Sequence, residues 1–222
     1  KTKALTAFEA ASRSGSDAEI EREARYLFVK INYEVESPFE EVGRALRNYL
    51  DTYSPDEEKK REINALLANH YIDEKNYPKA LEALREADPR NAELRAAHQK
   101  VAYYRGIQLI NAGAMQEAQE LFKESQSFAV SDQLLALAHY WTAEALYRQK
   151  EYNKAIDSYR RFRESPGAAG TSEFILAVYD QAYAHYRLKE WETAAALFRS
   201  FNESYDLEDG VHSDARIRAA DC

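Results

Sequence analysis

The sequence predicts an all-α solenoid of stacked helical hairpins, and three observations predict it. First, an alanine (once a valine) is followed four residues later by an aromatic residue or leucine. The pairs are Ala4/Phe8, Val42/Leu46, Ala80/Leu84, Ala118/Phe122, Ala155/Tyr159 and Ala194/Phe198, and their first members stand 38, 38, 38, 37 and 39 residues apart. A fixed period in this range belongs to repeat architectures. Second, a small residue recurs twelve positions before the alanine, at Ala68, Gly106, Ala143 and Ala182, with Ala220 as its counterpart near the C-terminus. Small residues let two helix backbones approach closely. Third, only seven glycines and five prolines occur in 222 residues, which suits helices joined by short turns.

The repeat frame places each element in order. A helix over 2–13 carries Ala4 and Phe8 and stands in the second-helix position of a partial repeat, 1–15. Five full repeats follow. They are 18–53 (helices 17–35 and 38–52), 55–89 (55–74 and 77–87), 91–128 (91–112 and 115–127), 131–166 (131–149 and 152–164) and 171–206 (172–189 and 191–205). A last helix over 213–222 begins another partial repeat, with Ala220 in the small position. No strand is predicted, and the chain reads as one array, 1–222. Ser37, Pro38, Phe39 and Glu40 spell a capping box with proline at the first helical position, and Ser54, Pro55, Asp56 and Glu57 repeat it. An aromatic or methionine before the alanine (Phe39, Tyr77, Met115, Tyr152, Trp191) is expected to plug the gap between neighbouring hairpins. The connections 165–171 and 206–212 are rich in turn residues and are expected to be the softest. A partial repeat at each end implies a slice of a longer array, with apolar surface that a neighbouring repeat would cover.

Composition narrows the function classes. The net charge of −8 and a pI near 5.3 argue against a nucleic-acid surface, which needs clustered Lys and Arg. The basic runs Lys59, Lys60, Arg61 and Arg160, Arg161, Arg163 are interleaved with acids and read as solvated helix faces. The one cysteine, Cys222, permits neither a disulfide nor a Cys-based metal site within the chain. No apolar run is long enough for a membrane span. The histidines His70, His98, His139, His185 and His212 do not pair with one another at metal-ligand spacing, and no HExxH occurs. Residues 167–170 are not a phosphate loop, since no Gly-Lys-Ser/Thr follows. No cofactor or metal is called for. Acids such as Glu40, Glu41, Asp56, Glu57 and Glu58 sit in first helical turns, where they meet the helix dipole favourably.

The small residue in the first helix, the turn aromatic, the alanine of the second helix and the large residue four further on resemble the tetratricopeptide repeat (TPR) family. The usual unit there is 34 residues; the longer period here implies longer helices or loops. The proline that follows the second helix in that family is largely missing, with Pro55, Pro89 and Pro166 as rough equivalents. The resemblance implies a right-handed superhelix with a concave groove. The fourth and fifth full repeats look most like bacterial envelope members, such as outer-membrane assembly lipoproteins and the Tol-associated periplasmic coordinator. That implies the periplasm or the outer-membrane periphery, with the cytoplasm left open.

By the same resemblance, first-helix side chains line the groove. In this sequence those are Tyr103 and Ile107, then Tyr140, Glu144 and Tyr147, then Tyr179, Tyr183 and Tyr186. Tyrosine supplies stiff contact area and a hydroxyl and is enriched at binding hot spots. The competing reading is that several of them pack between adjacent first helices. A carboxylate clamp is excluded in the first full repeat, where the equivalent positions are Ala24, Leu27, Ile31 and Glu34. The expected function is a non-enzymatic scaffold that binds a protein or peptide. The alternative is a regulatory or substrate-positioning segment of a larger enzyme or sensor. Self-association through the ends of the array is a third reading.

Overall fold

A computed structural model of the chain describes residues 1–15, 17–35, 40–88, 90–205, 207 and 209–222. Among them are twelve α-helices and no strand: α1 (Thr2–Ala11), α2 (Ala18–Val35), α3 (Val42–Tyr53), α4 (Glu57–Asp73), α5 (Tyr77–Glu86), α6 (Ala92–Asn111), α7 (Met115–Phe128), α8 (Asp132–Arg148), α9 (Tyr152–Glu164), α10 (Glu173–Arg187), α11 (Trp191–Ser204) and α12 (Gly210–Asp221). Every helix expected from the repeat is present, and none of those described is long and apolar enough to cross a membrane. The chain forms two compact units, Lys1–Arg95 and Ala96–Cys222, with the boundary inside α6.

Four hairpins turn by one device. Lys75, Gly113, Lys150 and Lys189 have φ of 57°, 81°, 65° and 63°, the left-handed conformation that closes helices. The next residue (Asn76, Ala114, Glu151, Glu190) has φ near −85° and ψ between 59° and 69°. Its N–H donates back to the carbonyl of Tyr71, Leu109, Leu146 or His185 at 2.8–3.1 Å. These bonds satisfy carbonyls that the helix end would orphan. Lysine in this region costs about 1 kcal/mol relative to glycine, and the bonds formed offset that cost.

In the first unit α1 packs on α2, α2 on α3, α3 on α4 and α4 on α5. Leu5, Phe28, Val29, Leu46, Tyr49 and Ile63 are buried there. Buried Asn32 donates through Nδ2 to the Glu40 carbonyl at 3.1 Å and so ties α2 to the approach to α3.

In the second unit each second helix is sandwiched between its own first helix and the next one. Ala118 and Phe122 of α7 pack with α6 and α8. Ala155, Tyr159 and Phe162 of α9 pack with α8 and with Ala177 of α10. Ala194, Phe198 and Phe201 of α11 pack with α10 and with Ala215 of α12. Buried Gln99 holds the bend into α8: its Oε1 accepts from Val130 N (3.1 Å) and Ser131 N (2.7 Å), and its Nε2 donates to Ser131 O (3.1 Å).

Several expectations are corrected. α4 starts at Glu57 with Asp56 as N-cap, accepting from Lys59 N at 2.9 Å, while Ser54 ends α3 with φ 41°. Proline 55 therefore precedes the cap instead of opening the helix. α3 begins at Val42, capped by Glu41. The box expected at Ser37, Pro38 and Phe39, and Pro89 in its post-helix role, lie outside the described residues, as do Asp206 and Glu208 of the second soft connection. The connection 165–171 is well tied. Ala168 is buried against α8, α9 and α10, and Thr171 donates to its carbonyl from N at 2.9 Å and Oγ1 at 2.7 Å. Trp191 does not plug an inter-hairpin gap: it is 40% exposed and meets Tyr186 of its own hairpin edge-on at 5.0 Å. α12 turns Ala215 inward and leaves Ala220 exposed, because the helix starts at Gly210, three residues before the expected start.

The close approach of α6 and α7 generates a prediction. A Cβ on Gly106 would stand 2.5 Å from Cε1 of Phe122, a wholly buried ring. Alanine gains up to about 1 kcal/mol of helix propensity, but overpacking a rigid core site costs about 1–3 kcal/mol. Gly106→Ala should therefore lower the unfolding free energy in urea by about 1–2 kcal/mol.

Candidate functional site

The tyrosines expected in one groove divide by what their hydroxyls do. Tyr140 is buried in the core of α8, α9 and α10, and its hydroxyl donates to Asp180 of α10 at 2.9 Å. Tyr179 donates to Asp214 of α12 at 2.8 Å, and Tyr183 donates to the same carboxylate. In the first unit Tyr26 of α2 donates likewise to Glu62 of α4. First helices are thus stitched to the next first helix by tyrosine-to-carboxylate bonds. Tyr103 is buried against Phe122, ring centroids 6.1 Å apart, and Ile107 is half-buried in the same cluster. Tyr103 and Tyr140 are core residues and offer no open face. Tyr179 is half-buried against Phe198 and Phe201, at 5.9 and 5.2 Å. Burial raises the hydroxyls of Tyr140, Tyr159 and Tyr179 far above the usual tyrosine range and that of Tyr103 to about 12. All four are neutral, and Tyr140, Tyr159 and Tyr179 donate to carboxylates.

What remains open is a cleft of about 440 Å³ lined by Glu144 and Tyr147 of α8, Tyr159 of α9, and Asp180 and Tyr183 of α10. Spacings of three residues put Glu144 with Tyr147 and Asp180 with Tyr183 on single helix faces. Tyr159 donates its hydroxyl to Glu144, and the nearest cation to Glu144 is Arg148, 4.0 Å away. Tyr147 accepts from Arg187 Nε at 3.3 Å, and its ring meets Tyr152 edge-on at 5.4 Å. Tyr186 packs between Tyr183 and Trp191, outside the cleft lining. Burial, and then the charge of Glu144, push the Asp180 carboxyl up to about 7, against the bond from Tyr140. Two carboxylates with neutral donors, beside tyrosine rings, make a receptor for a cation.

Three of the eight expected residues line this cleft: Glu144, Tyr147 and Tyr183. Asp180 and Tyr159 were not anticipated. The signal for Asp180 is legible as an acid that directly follows the apolar run of residues 174–179. Tyr159 was assigned wholly to packing; its ring is core, but its hydroxyl reaches the cleft.

Segments 137–167 and 176–206, the α8–α9 and α10–α11 hairpins, match the model of the tetratricopeptide repeat family. Those two hairpins carry the repeat of that family. Among solved structures it is similar to the apo form of RapI, with a TM-score of 0.53 at 15% identity over 97% of this chain. The chain spans 63% of the length of RapI. It is also similar to the yeast Sti1 TPR2AB domain in its pHSP90 complex (TM-score 0.44, 17% identity, 97% of this chain and 88% of that one) and to Pseudomonas aeruginosa pilF (0.45, 16%, 97% and 98%). At these identities the likeness to RapI is one of fold. No curated protein matches the chain by sequence.

Asp180 supplies a prediction for pH. Its native pKa lies above the ordinary carboxylate value, so the folded state binds the proton more tightly than the unfolded state. Its stabilising contribution is complete below about pH 4 and is lost as pH rises through about 7. Between about pH 4 and pH 8 the wild type should lose on the order of 4 kcal/mol relative to Asp180→Asn, read as the difference between their urea-unfolding free energies.

Proposed function

We propose that the protein is a non-enzymatic scaffold that binds a protein or peptide and anchors one basic side chain of it in the cleft between α8, α9 and α10. The observation that carries this reading is the pairing of Glu144 with Asp180 in a cleft bordered by Tyr147 and Tyr183. Neutral hydroxyl donors orient both carboxylates without cancelling their charge. A lysine or arginine would supply the missing charge, and its alkyl stem would lie against the tyrosine rings. A desolvated charge pair of this kind favours one residue type strongly, since an uncharged isostere leaves the carboxylates unpaired. The family supports the coarser part: helical repeat arrays present long surfaces to other chains. The Tyr179 and Tyr186 surfaces would contribute contact area beside the anchor.

The test is fluorescence anisotropy with two pools of short labelled random peptides, identical except for a fixed central lysine or norleucine. The lysine pool should bind about tenfold more tightly, a difference of about 1.4 kcal/mol, and Glu144→Gln should remove most of that preference. Equal binding of the two pools would refute the anchor, and binding of neither would refute peptide recognition at this cleft.

A further inference from the structure

The start of α3 and the end of α4, both in the unit Lys1–Arg95, bring three ligating side chains to one point. His70 and Glu74 are four residues apart at the end of α4 and share a face. Glu41 arrives from the N-cap of α3. His70 Nε2 lies 3.3 Å from Glu41 Oε1 and 3.4 Å from Glu74 Oε1, and the three ligand atoms all lie within 4.8 Å of one another. Neither close approach is a hydrogen bond: His70 Nε2 is enclosed and has no hydrogen-bond partner. An enclosed imidazole nitrogen facing two carboxylate oxygens without bonding either is unexplained by the packing of the helices.

The separations have a chemical meaning. Two donor atoms bound to one tetrahedral Zn²⁺ at about 2.0–2.1 Å stand about 3.3–3.4 Å from each other. Both His70-to-carboxylate distances match that edge. The two carboxylates would balance a divalent charge. One nitrogen and two oxygens form a donor set suited to Zn²⁺ and its neighbours, whereas Ca²⁺ and Mg²⁺ prefer oxygen alone. Glu41 is already aimed, because its Oε1 accepts from Gly43 N at 2.7 Å and its Oε2 from Arg44 N at 2.8 Å. Such bonds orient a ligating carboxylate and leave a lone pair of Oε1 free. Gly43 makes room for the imidazole: a Cβ there would stand 2.7 Å from His70 Nε2 and 3.0 Å from Glu41 Oε1. The point opens into a cleft whose other walls include Tyr33, Glu34 and Asp73, so water can reach a fourth coordination position.

We propose that Glu41, His70 and Glu74 bind one divalent transition-metal ion of the Zn²⁺ type, with water completing the shell. The site is independent of the peptide cleft and of its reading. Isothermal titration of the metal-free 222-residue chain with Zn²⁺ tests it, in a Cys222→Ser background that removes the exposed terminal thiol. One equivalent should bind saturably. His70→Ala and Glu74→Gln should each weaken binding by about tenfold or more, with unchanged helical circular dichroism, while His212→Ala should not. Titration with Co²⁺ should give a visible absorption band that His70→Ala abolishes. Absence of saturable one-site binding, or equal affinity in well-folded His70→Ala, would overturn the assignment.

Discussion

Everything in this protein rests on how closely paired helices can approach. At Ala68, Gly106, Ala143 and Ala182 the first helix of a hairpin is buried and nearly side-chain-free. The second helix then inserts its alanine and its large residue four positions on, and the large ring fills the space the small residue vacates. The contact between Gly106 and Phe122 is the tightest instance. Dispersion and apolar burial reward such an approach only if both backbones stay within it. The left-handed turn at Lys75, Gly113, Lys150 and Lys189 enforces that by reversing the chain in three residues. Lysine tolerates the conformation because the turn's backbone bonds are all made and its side chain reaches solvent.

A second layer of order comes from polar groups. Tyr26 with Glu62, Tyr140 with Asp180, and Tyr179 and Tyr183 with Asp214 join successive first helices. Each tyrosine brings its ring toward the helix packing and its hydroxyl to a carboxylate; for Asp180, which is desolvated with no cation beside it, that bond offsets part of the cost of burial. These bonds add direction to a stack whose apolar contacts are non-directional. They also explain why a tyrosine-rich first-helix face does not amount to a tyrosine-lined groove: several hydroxyls are committed within the protein. In the proposed reading the carboxylates that receive them, Asp180 above all, carry the recognition chemistry instead.

The two proposed sites differ in how each handles buried negative charge. In the α8–α10 cleft, Glu144 and Asp180 are held by neutral donors, and an incoming cation would favour the ionised form of Asp180. At the α3–α4 junction, the backbone N–H groups of Gly43 and Arg44 hold Glu41, and its hydrogen bonds keep its carboxyl ionised despite partial burial. An imidazole stands beside it in place of a tyrosine. Carboxylate and imidazole together favour a metal ion, whereas carboxylate and tyrosine favour an organic cation.

The period, the helix count and the residues of the packing core are legible in the linear chain. Those follow from local periodicity and from side-chain size, which a linear chain displays directly. The resemblance to the tetratricopeptide repeat added Glu144, Tyr147 and Tyr183 as expected groove positions, and these three line the α8–α10 cleft. The folded arrangement alone reveals which tyrosine hydroxyls are spent, that Asp180 shares a cleft with Glu144, that Tyr159 reaches it, and that Glu41 joins His70 and Glu74. Each of those pairings links residues on different helices, 15 to 40 positions apart. Their distances are set by the turns and by the depth to which one helix sinks into the next. Neither the partner nor the burial of a charge can be read until that depth is known. The starts of α4 and α12 differ from the expected ones because Asp56 and Asp209 supply the N-caps.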